Sequence, residues 1–178
     1  MKKLPLRAWI EAGVMIALAV VLHQIKVYQA PAGGAVTAGS MVPLIYLAVR
    51  YGPRFGMLTG AAYGLIDFAF EPYFVHPVQF LLDYPLAFGV LGLAGLAIFR
   101  KRPALGAVAG VALRFVCHLL SGVVFFASSA PAGQNVWVYS AIYNGTYLGP
   151  ELIISGVLTY FVFAALANRG RPVIDARD

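Results

Sequence analysis

The sequence is built from long apolar segments that are separated by short polar or basic stretches. A membrane-spanning helix needs about 20 apolar residues, and dividing the chain at its charged and Pro/Gly clusters gives six candidate segments. They are residues 6–26, 35–50, 54–70, 77–99, 105–127 and 137–168. Unbroken apolarity over these lengths favours helices, since barrel strands are about ten residues long and alternate. With 61% hydrophobic residues and a mean hydropathy of +0.80, the chain is predicted to be an all-α, polytopic membrane protein, a six-transmembrane-helix bundle.

The net charge of +6 is distributed as expected for a membrane protein and not as expected for a nucleic-acid-binding protein. Basic residues cluster at every second segment boundary, whereas the intervening loops hold only Lys26. The clusters lie at residues 2–7, 50–54, 100–102 and 169–177. The positive-inside rule then predicts six spans with the N- and C-termini both cytoplasmic.

The first segment leaves two questions: whether it is a signal peptide or a membrane span, and what its small residues contact. Two lysines before an apolar run are typical of a signal peptide, but Glu11 inside the run and the length of the run favour a first span. Gly13 and Ala17 lie four residues apart, a spacing that lets another helix approach closely. Internal packing and a docking surface for a partner protein both remain open for this pair.

The next two segments carry small residues with different implications. The loop 28–34 contains Pro and a Gly pair, and we interpret it as a mobile lid on the outer side. Pro43 is expected to kink the second segment because it lacks a backbone N–H. Gly56, Gly60 and Gly64 form a GxxxGxxxG row in the third segment, which predicts a close-packing seam.

The fifth segment carries an arginine and a histidine at membrane depth. Arg114, His118, Gly122 and Phe126 recur every four residues and therefore share one helix face. A charge exposed to lipid costs at least about 2.5–3.5 kcal/mol, so ionisable groups usually face a bundle interior. We interpret this face as one wall of a polar pocket. The single Cys117 beside it has no partner for an intrachain disulfide.

The fourth segment places a carboxylate at comparable depth. Gln79 and Asp83 are four residues apart, with Tyr84 next to them. An uncompensated charge there would be costly, and the rise of 1.5 Å per residue puts Glu151 of the sixth segment near Arg114. The sequence therefore predicts an ion pair of Arg114 with Glu151 or with Asp83.

Polar residues of three segments converge at one depth, namely Asp83, His118, Tyr139 and Asn144. Trp137 belongs either to this pocket or to the aromatic belt at the membrane surface. Aromatic faces attract cations, while an amide and a carboxylate recognise donor and acceptor edges. Such a pocket suits a small planar, nitrogen-rich solute, including a cationic one.

Catalytic and energy-coupling motifs are missing from the sequence. It has no HExxH, GxSxG or Cys pair, and no GxxxxGK[ST] phosphate loop. We expect a protein that is not an enzyme, uses no cofactor or metal and does not hydrolyse ATP itself. A remote alternative is an intramembrane enzyme that uses His118 and Asp83 as an acid–base pair.

Four pieces in order carry a resemblance that extends over nearly the whole chain. They are GGAVTAGSMVP at 33–43, FLLDY at 80–84, RFVCH at 114–118 followed by Gly122, and VYSAIYNG at 138–145. This pattern resembles the thiamin-specific S-component of energy-coupling factor (ECF) transporters, the substrate-binding subunit of a vitamin importer. The resemblance implies a single transmembrane substrate-binding domain over residues 1–178, in the plasma membrane of a prokaryote. It would bind thiamin from outside and deliver it inward with a transmembrane coupling subunit and two ATP-binding subunits.

The resemblance also implies roles for individual residues. The acidic residue that binds substrate in the family corresponds to Asp83, and the surface that contacts the coupling subunit corresponds to Gly13 and Ala17. The other positions implied for the substrate site are Tyr84, His118, Gly122, Phe126, Tyr139, Asn144 and Gly34, and Trp137, Tyr143 or Phe125 is expected to complete the aromatic sandwich around the thiazolium ring. Some members carry tryptophan where this chain has Gly34 and Phe126. An S-component for another vitamin or a pyrimidine precursor is the alternative.

Overall fold

The structure is a computed structural model that describes residues 4–31 and 33–168. Most of the described chain is helical, and one two-stranded sheet follows the first helix. The helices are α1 (Leu6–Gln24), α2 (Val42–Tyr51), α3 (Pro53–Phe70), α4 (Pro77–Asp83), α5 (Pro85–Gly89), α6 (Pro103–Phe125) and α7 (Val136–Asn168). The strands are β1 (Lys26–Gln29) and β2 (Ala35–Thr37), and short 3-10 helices occupy Val90–Gly95, Ala97–Phe99 and Ala127–Ser129. The all-α prediction therefore holds for the helices and misses the sheet.

Several helices have the length and apolarity of membrane spans. Within the described ranges, four stretches meet both requirements, namely α1, Pro77–Gly95, α6 and α7. The first, third, fifth and sixth predicted segments match α1, α3, α6 and α7 to within a few residues. The count of six spans and the cytoplasmic position of both termini stay predictions, and the basic residues at 2–3 and 169–177 lie outside the described residues.

The second predicted segment is wrong as a single helix. Residues 35–37 form β2, and α2 begins only at Val42. Ten residues of α helix measure about 15 Å, which is half the thickness of the hydrocarbon layer. Pro43 does not kink α2, because it lies in the first helical turn, where a backbone N–H would have no acceptor within the helix. Leu44, Ile45 and their neighbours on α2 are fully buried, so this short helix is enclosed by the others.

The fourth predicted segment is broken at Pro85. A proline disfavours helical geometry in the residue before it, and Tyr84 leaves the helical region with φ −115° and ψ −85°. Helix α4 therefore ends at Asp83, and α5 continues as a 3-10 helix over Val90–Gly95. The break places the Asp83 carboxylate at the carboxyl end of a short helix.

The predicted glycine seam on α3 is confirmed. A methyl group added at Gly60 would lie 2.3 Å from the carbonyl oxygen of Phe88, and one at Gly64 would lie 2.5 Å from that of Tyr84. Distances this short leave no room for a side chain, so the glycines let α3 lie directly against the broken fourth segment. That contact fixes α4 and its carboxylate relative to the rest of the bundle.

The loop predicted as a lid contains an antiparallel hairpin, formed by β1, β2 and the described residues between them, 30–31 and 33–34. Lys26 pairs with Thr37 and Gln29 pairs with Ala35. Gly34, just before β2, has φ +87°, a conformation that favours glycine. We refer to this unit as the β1–β2 hairpin.

Candidate functional site

A cavity of about 650 Å³ lies between the β1–β2 hairpin and the helices α3, α4, α6 and α7. This volume is typical of pockets for small organic ligands. Its polar lining residues include Gln29, Thr37, Ser40, Asp67, Glu71, Gln79, Asp83, Arg114, His118, Ser121, Asn144 and Glu151. Its aromatic lining residues are Tyr73, Tyr84, Phe126, Tyr139, Tyr143 and Tyr147. The cavity thus combines several carboxylates with aromatic faces.

Asp83 is the acceptor at the centre of a hydrogen-bond network. Gln79 Nε2 and Ser121 Oγ both donate to Asp83 Oδ2 at 2.8 Å, and His118 Nδ1 lies 3.0 Å from Oδ1. Gln79 is 1% exposed and also bonds to the backbone of residues 73 and 75, so it joins the α3–α4 loop to the carboxylate. Charge-assisted bonds of this kind are stronger than neutral ones, and they hold Asp83 in place.

His118 lies between Arg114 and Asp83. Arg114 Nε donates to His118 Nε2 at 3.3 Å, so that nitrogen is an acceptor and Nδ1 carries the proton that faces Asp83. The guanidinium carbon of Arg114 lies 3.8 Å from the centre of the Phe88 ring, and Nη1 lies 3.1 Å from Met41 Sδ. The imidazole therefore bridges the Arg114 guanidinium and the Asp83 carboxylate through one hydrogen bond to each.

The predicted ion pair of Arg114 is wrong in both of its forms. Among the described residues, no ion pair joins Arg114 to Asp83, because His118 takes the position between them. Glu151 does not pair with Arg114 either: its Oε1 accepts from the backbone N–H and the hydroxyl of Thr37 at 2.5 and 2.6 Å. Position along a helix predicted the right depth, but not which neighbour each charge would face.

Asn144 and the tyrosines of α7 continue the network. Asn144 Nδ2 donates to the Ser140 carbonyl at 2.9 Å, and its Oδ1 accepts from the Tyr147 hydroxyl. Tyr139 and Tyr143 lie beside each other with ring centres 6.2 Å apart. The Tyr143 hydroxyl donates to the carbonyl of Gly33 at 2.9 Å and so contacts the hairpin.

Two glycines of the predicted site are required by close approaches. A methyl group on Gly122 would lie 2.1 Å from Ser140 Oγ, so this glycine lets α6 and α7 pack closely. A methyl group on Gly34 would lie 2.6 Å from the ring of Tyr147. Both glycines also line the cavity.

Of the predicted aromatic residues, Phe126 and Tyr84 line the cavity and Trp137 does not. Phe126 lines the cavity, and its ring centre lies 5.7 Å from that of Tyr73. Tyr84 also lines it, and its hydroxyl donates to the Glu71 carbonyl and accepts from the N–H of Tyr73. Trp137 is 53% exposed and does not line the cavity, which favours the alternative position on the membrane-facing surface.

Some cavity residues were missed by the sequence reasoning. Tyr147 follows Tyr143 by four residues and shares its helix face, so the spacing could have identified it. Tyr73 lies in the α3–α4 loop, where no periodicity predicts the direction of a side chain. Thr37 was placed in a helix by the sequence pattern, so its contact with Glu151 could not be foreseen.

The rim of the cavity carries a charged cluster that joins three elements. His23 Nε2 at the end of α1 lies 3.6 Å from Asp67 and 3.8 Å from Glu71, and Lys26 of β1 forms an ion pair with Glu71. Burial raises the pKa of the Glu71 carboxyl, but the hydrogen bond and charge of Lys26, with His23, outweigh burial and hold that pKa below its usual value. The cluster therefore fastens β1 to the end of α3.

The small residues of α1 face away from the bundle. Gly13 and Ala17 are both exposed, and no atom lies within 4 Å of a methyl group added at Gly13. Internal packing of this pair, one of the two interpretations of the sequence, is therefore not what the structure contains.

Within 4–31 and 33–168, no group of three or more His, Cys, Asp or Glu side chains is placed to hold a metal ion. The buried carboxylate, the amide and the aromatic rings instead suit an organic ligand with hydrogen-bond donors and a positive charge.

Comparisons with known proteins agree with this description. The family model "Thiamine transporter protein (Thia_YuaJ)" matches residues 9–169. The thiamine transporter ThiT of Bacillus subtilis is 37% identical over 171 residues, covering 86% of this chain and 88% of that protein. ThiT of Lacticaseibacillus paracasei is 30% identical over 156 residues, covering 78% and 76%. A solved structure of ThiT from Listeria monocytogenes superposes with a TM-score of 0.80 over 95% of this chain and 98% of that one, at 21% identity, and so has the same fold. The chain therefore belongs to the Thia_YuaJ thiamine transporter family, a family of transporters and not of enzymes.

Proposed function

We propose that this chain binds thiamin from the outer side of the membrane in the cavity around Asp83. The observation that carries the proposal is the Asp83 carboxylate, which lines a cavity with several aromatic walls and is hydrogen-bonded to His118, itself hydrogen-bonded to Arg114. Thiamin offers an aminopyrimidine ring with donors and acceptors and a positively charged thiazolium ring. Both halves match the chemistry of the cavity.

Each half of the ligand has candidate partners. Asp83, His118 and Asn144 provide the charged and amide groups that recognise the edge of the aminopyrimidine. Phe126 and Tyr73 lie 5.7 Å apart at 39° and offer aromatic faces for the thiazolium ring, an interaction worth about 0.5–2 kcal/mol. Tyr84, Gly122, Tyr139, Tyr143 and Gly34 complete the proposed site, while Trp137 is left out of it.

The chain is proposed to act as the S-component of an ECF-type importer in a bacterial plasma membrane. Six spans with both termini in the cytoplasm are part of this proposal. A transmembrane coupling subunit would dock on the exposed face of α1 at Gly13 and Ala17, because small residues let a second helix come close. Two ATP-binding subunits would supply the energy for inward delivery.

Calorimetric titration of the detergent-solubilised chain with thiamin tests the proposal. Calorimetry is preferable to tryptophan fluorescence because Trp137 lies outside the cavity. We expect saturable binding to the wild type, much weaker binding to Asp83→Asn, and unchanged binding to Thr146→Ala, an exposed position on α7 whose hydroxyl donates to the Tyr143 carbonyl of its own helix. Absence of heat and of any thermal stabilisation with thiamin would refute the proposal.

Competition separates thiamin from a pyrimidine precursor. If the cavity recognises the whole vitamin, the free aminopyrimidine half should compete only at much higher concentration, because it lacks the thiazolium cation. Equal affinity for the two compounds would assign the chain to a precursor instead.

A further inference from the structure

The α3–α4 loop brings Tyr73 to the cavity without regular structure of its own. Residues 71–76 lie between α3 and α4 and belong to no helix or strand. Tyr73 is 49% exposed, so packing alone does not fix its position. Gln79 accepts a hydrogen bond from the Val75 N–H at 3.0 Å and donates to the Tyr73 carbonyl at 3.2 Å. The Tyr84 hydroxyl accepts from the Tyr73 N–H at 3.0 Å. The place of the Tyr73 ring therefore depends on bonds to the loop backbone.

The neighbours of Gln79 require a primary amide in one orientation. The Val75 N–H is a donor and must face the amide oxygen. The Tyr73 carbonyl and the Asp83 carboxylate are acceptors and must both face Nε2, which has one hydrogen for each of them. Gln79 is 1% exposed, so water has little access to these bonds. The oxygen and both hydrogens of the amide are therefore committed within the protein.

Two walls of the cavity are joined through this one amide. Its bond to Asp83 Oδ2 is 2.8 Å long and charge-assisted. Its bonds to the loop reach Tyr73, whose ring centre lies 5.7 Å from that of Phe126. Asp83, Tyr73 and Phe126 all line the cavity. Loss of the amide therefore releases the carboxylate and the aromatic wall together.

We propose that Gln79 is a positioning residue that holds the Asp83 carboxylate and the Tyr73 ring at a fixed separation, so that the site recognises both halves of its ligand at once. The inference rests on the proposed function, in which Asp83 contacts the aminopyrimidine and Tyr73 faces the thiazolium ring. Gln79 acts through these two residues and not by touching the ligand, because its polar atoms are already bonded.

The size of the effect follows from the cost of ordering a group at the moment of binding. Ordering one mobile side chain lowers affinity about 2- to 12-fold, the equivalent of about 0.5–1.5 kcal/mol. A mid-range loss is about fivefold at each end of the ligand. Gln79→Met keeps the length of the side chain and removes the amide. Losses at the two ends then multiply to about 25-fold for thiamin.

Calorimetric titration with thiamin in two backgrounds tests this signature. Gln79→Met should cost about 25-fold in the wild-type background, but only about fivefold in the Tyr73→Ala background, where the aromatic end is already lost. The free aminopyrimidine half, measured by competition, should bind about fivefold more weakly to Gln79→Met and equally well to Tyr73→Ala. Leu81→Met introduces the same residue at a 52% exposed position of α4 and should leave both affinities unchanged.

Three results would overturn the proposal. Unchanged thiamin affinity in Gln79→Met would mean that the amide positions nothing. An equal loss in both backgrounds would mean that Tyr73 is not involved, since a general weakening of the fold does not depend on that ring. Unchanged affinity for the free aminopyrimidine would mean that Asp83 is not positioned by the amide.

Gln79→Asn is the second variant and decides the matter if Gln79→Met does not fold. It keeps the amide but is one methylene shorter, so it cannot reach the partners on both sides. It should show the same losses at both ends, with the same dependence on Tyr73, and the same three results would count against the proposal.

A wild type that binds no thiamin would refute the proposed function, and amide hydrogen exchange would then decide the inference separately. The Val75 N–H is bonded to the Gln79 oxygen. Faster exchange of this amide in Gln79→Met, but not in Leu81→Met, supports the link between α4 and the loop. Unchanged exchange refutes it.

Discussion

Gly122→Ala places a methyl group at the point where α6 lies closest to α7. The added carbon would be 2.1 Å from Ser140 Oγ, 3.1 Å from Ser140 Cβ and 3.5 Å from Asn144 Nδ2. Turning the serine hydroxyl away would remove its hydrogen bond to the Leu119 carbonyl, now 3.0 Å long. The serine Cβ contact would persist after that rotation, so the helices must also move apart by a few tenths of an ångström.

The expected cost follows from three contributions. Overpacking costs about 1–3 kcal/mol, and the lost hydrogen bond costs about 0.5–1.5 kcal/mol. Alanine in a helix returns about 1 kcal/mol relative to glycine. These contributions sum to a net loss of about 0.5–3.5 kcal/mol, and the mid-range value of about 2 kcal/mol lowers the unfolding midpoint by roughly 4–8 °C. Displacement of Asn144 should in addition weaken thiamin binding about tenfold, the equivalent of one hydrogen bond.

Thermal unfolding and calorimetric titration in the same detergent measure both effects. Gly145→Ala is the matched control, because no atom lies within 4 Å of its added methyl group. Adding Ser140→Ala to Gly122→Ala removes the closest clash and should recover part of the stability, since the contact with the Cβ of residue 140 and the lost hydrogen bond to the Leu119 carbonyl remain. If Gly122→Ala behaved like the control, or if the second substitution gave no recovery, the packing argument would be refuted.

Three further substitutions have defined outcomes. Asp83→Asn should weaken thiamin binding about 10- to 100-fold by calorimetry, because a hydrogen bond to a charged group is worth about 1.5–3 kcal/mol; unchanged affinity would contradict the site. Gly34→Ala should weaken thiamin binding more than Gly33→Ala. Both glycines have positive φ, but only the methyl group added at Gly34 would clash, at 2.6 Å from the Tyr147 ring. Equal effects of the two substitutions would exclude the clash as the cause. Glu71→Gln should lower the unfolding midpoint near neutral pH, because a carboxyl whose pKa is depressed stabilises the fold above its ordinary value of 4.5 and loses that stabilisation as the pH falls further. The difference between the wild type and this variant should shrink as the pH falls below 4.5 and Glu71 becomes protonated in the folded state, and a difference that stays constant through acid pH would contradict the ion pair with lysine.

The helices of this chain were predictable where their sequences are continuous and apolar. The bounds of α6 and α7 follow from hydropathy and length alone, and the glycine row on α3 identified a seam that the structure confirms. The polar face of α6 was also predictable, because spacing along one helix fixes which side chains share a side. These features depend on local sequence, so no knowledge of neighbouring helices was needed.

The errors occurred where the outcome depends on contacts between distant segments. Residues 35–37 are apolar enough for a helix but form β2, which pairs with β1 and is bonded by Glu151 over a separation of 114 residues. Pro85 gave a local signal for a helix break that hydropathy over the whole segment obscured. The predicted ion pair of Arg114 was wrong because the rise per residue gives the depth of a side chain along its helix, but not the direction in which it points around the helix axis.

The sequence by itself determined that the chain is a protein of long apolar helices, which residues carry its buried charges, and which family it resembles. Those properties follow from composition, spacing and order along the chain. Only the tertiary structure decided that His118 separates Arg114 from Asp83, that Trp137 lies outside the cavity, and that Glu151 binds the hairpin. The physical reason is that a buried charge takes whichever donor the packing of other segments brings within about 3 Å, and that packing is a property of the whole fold.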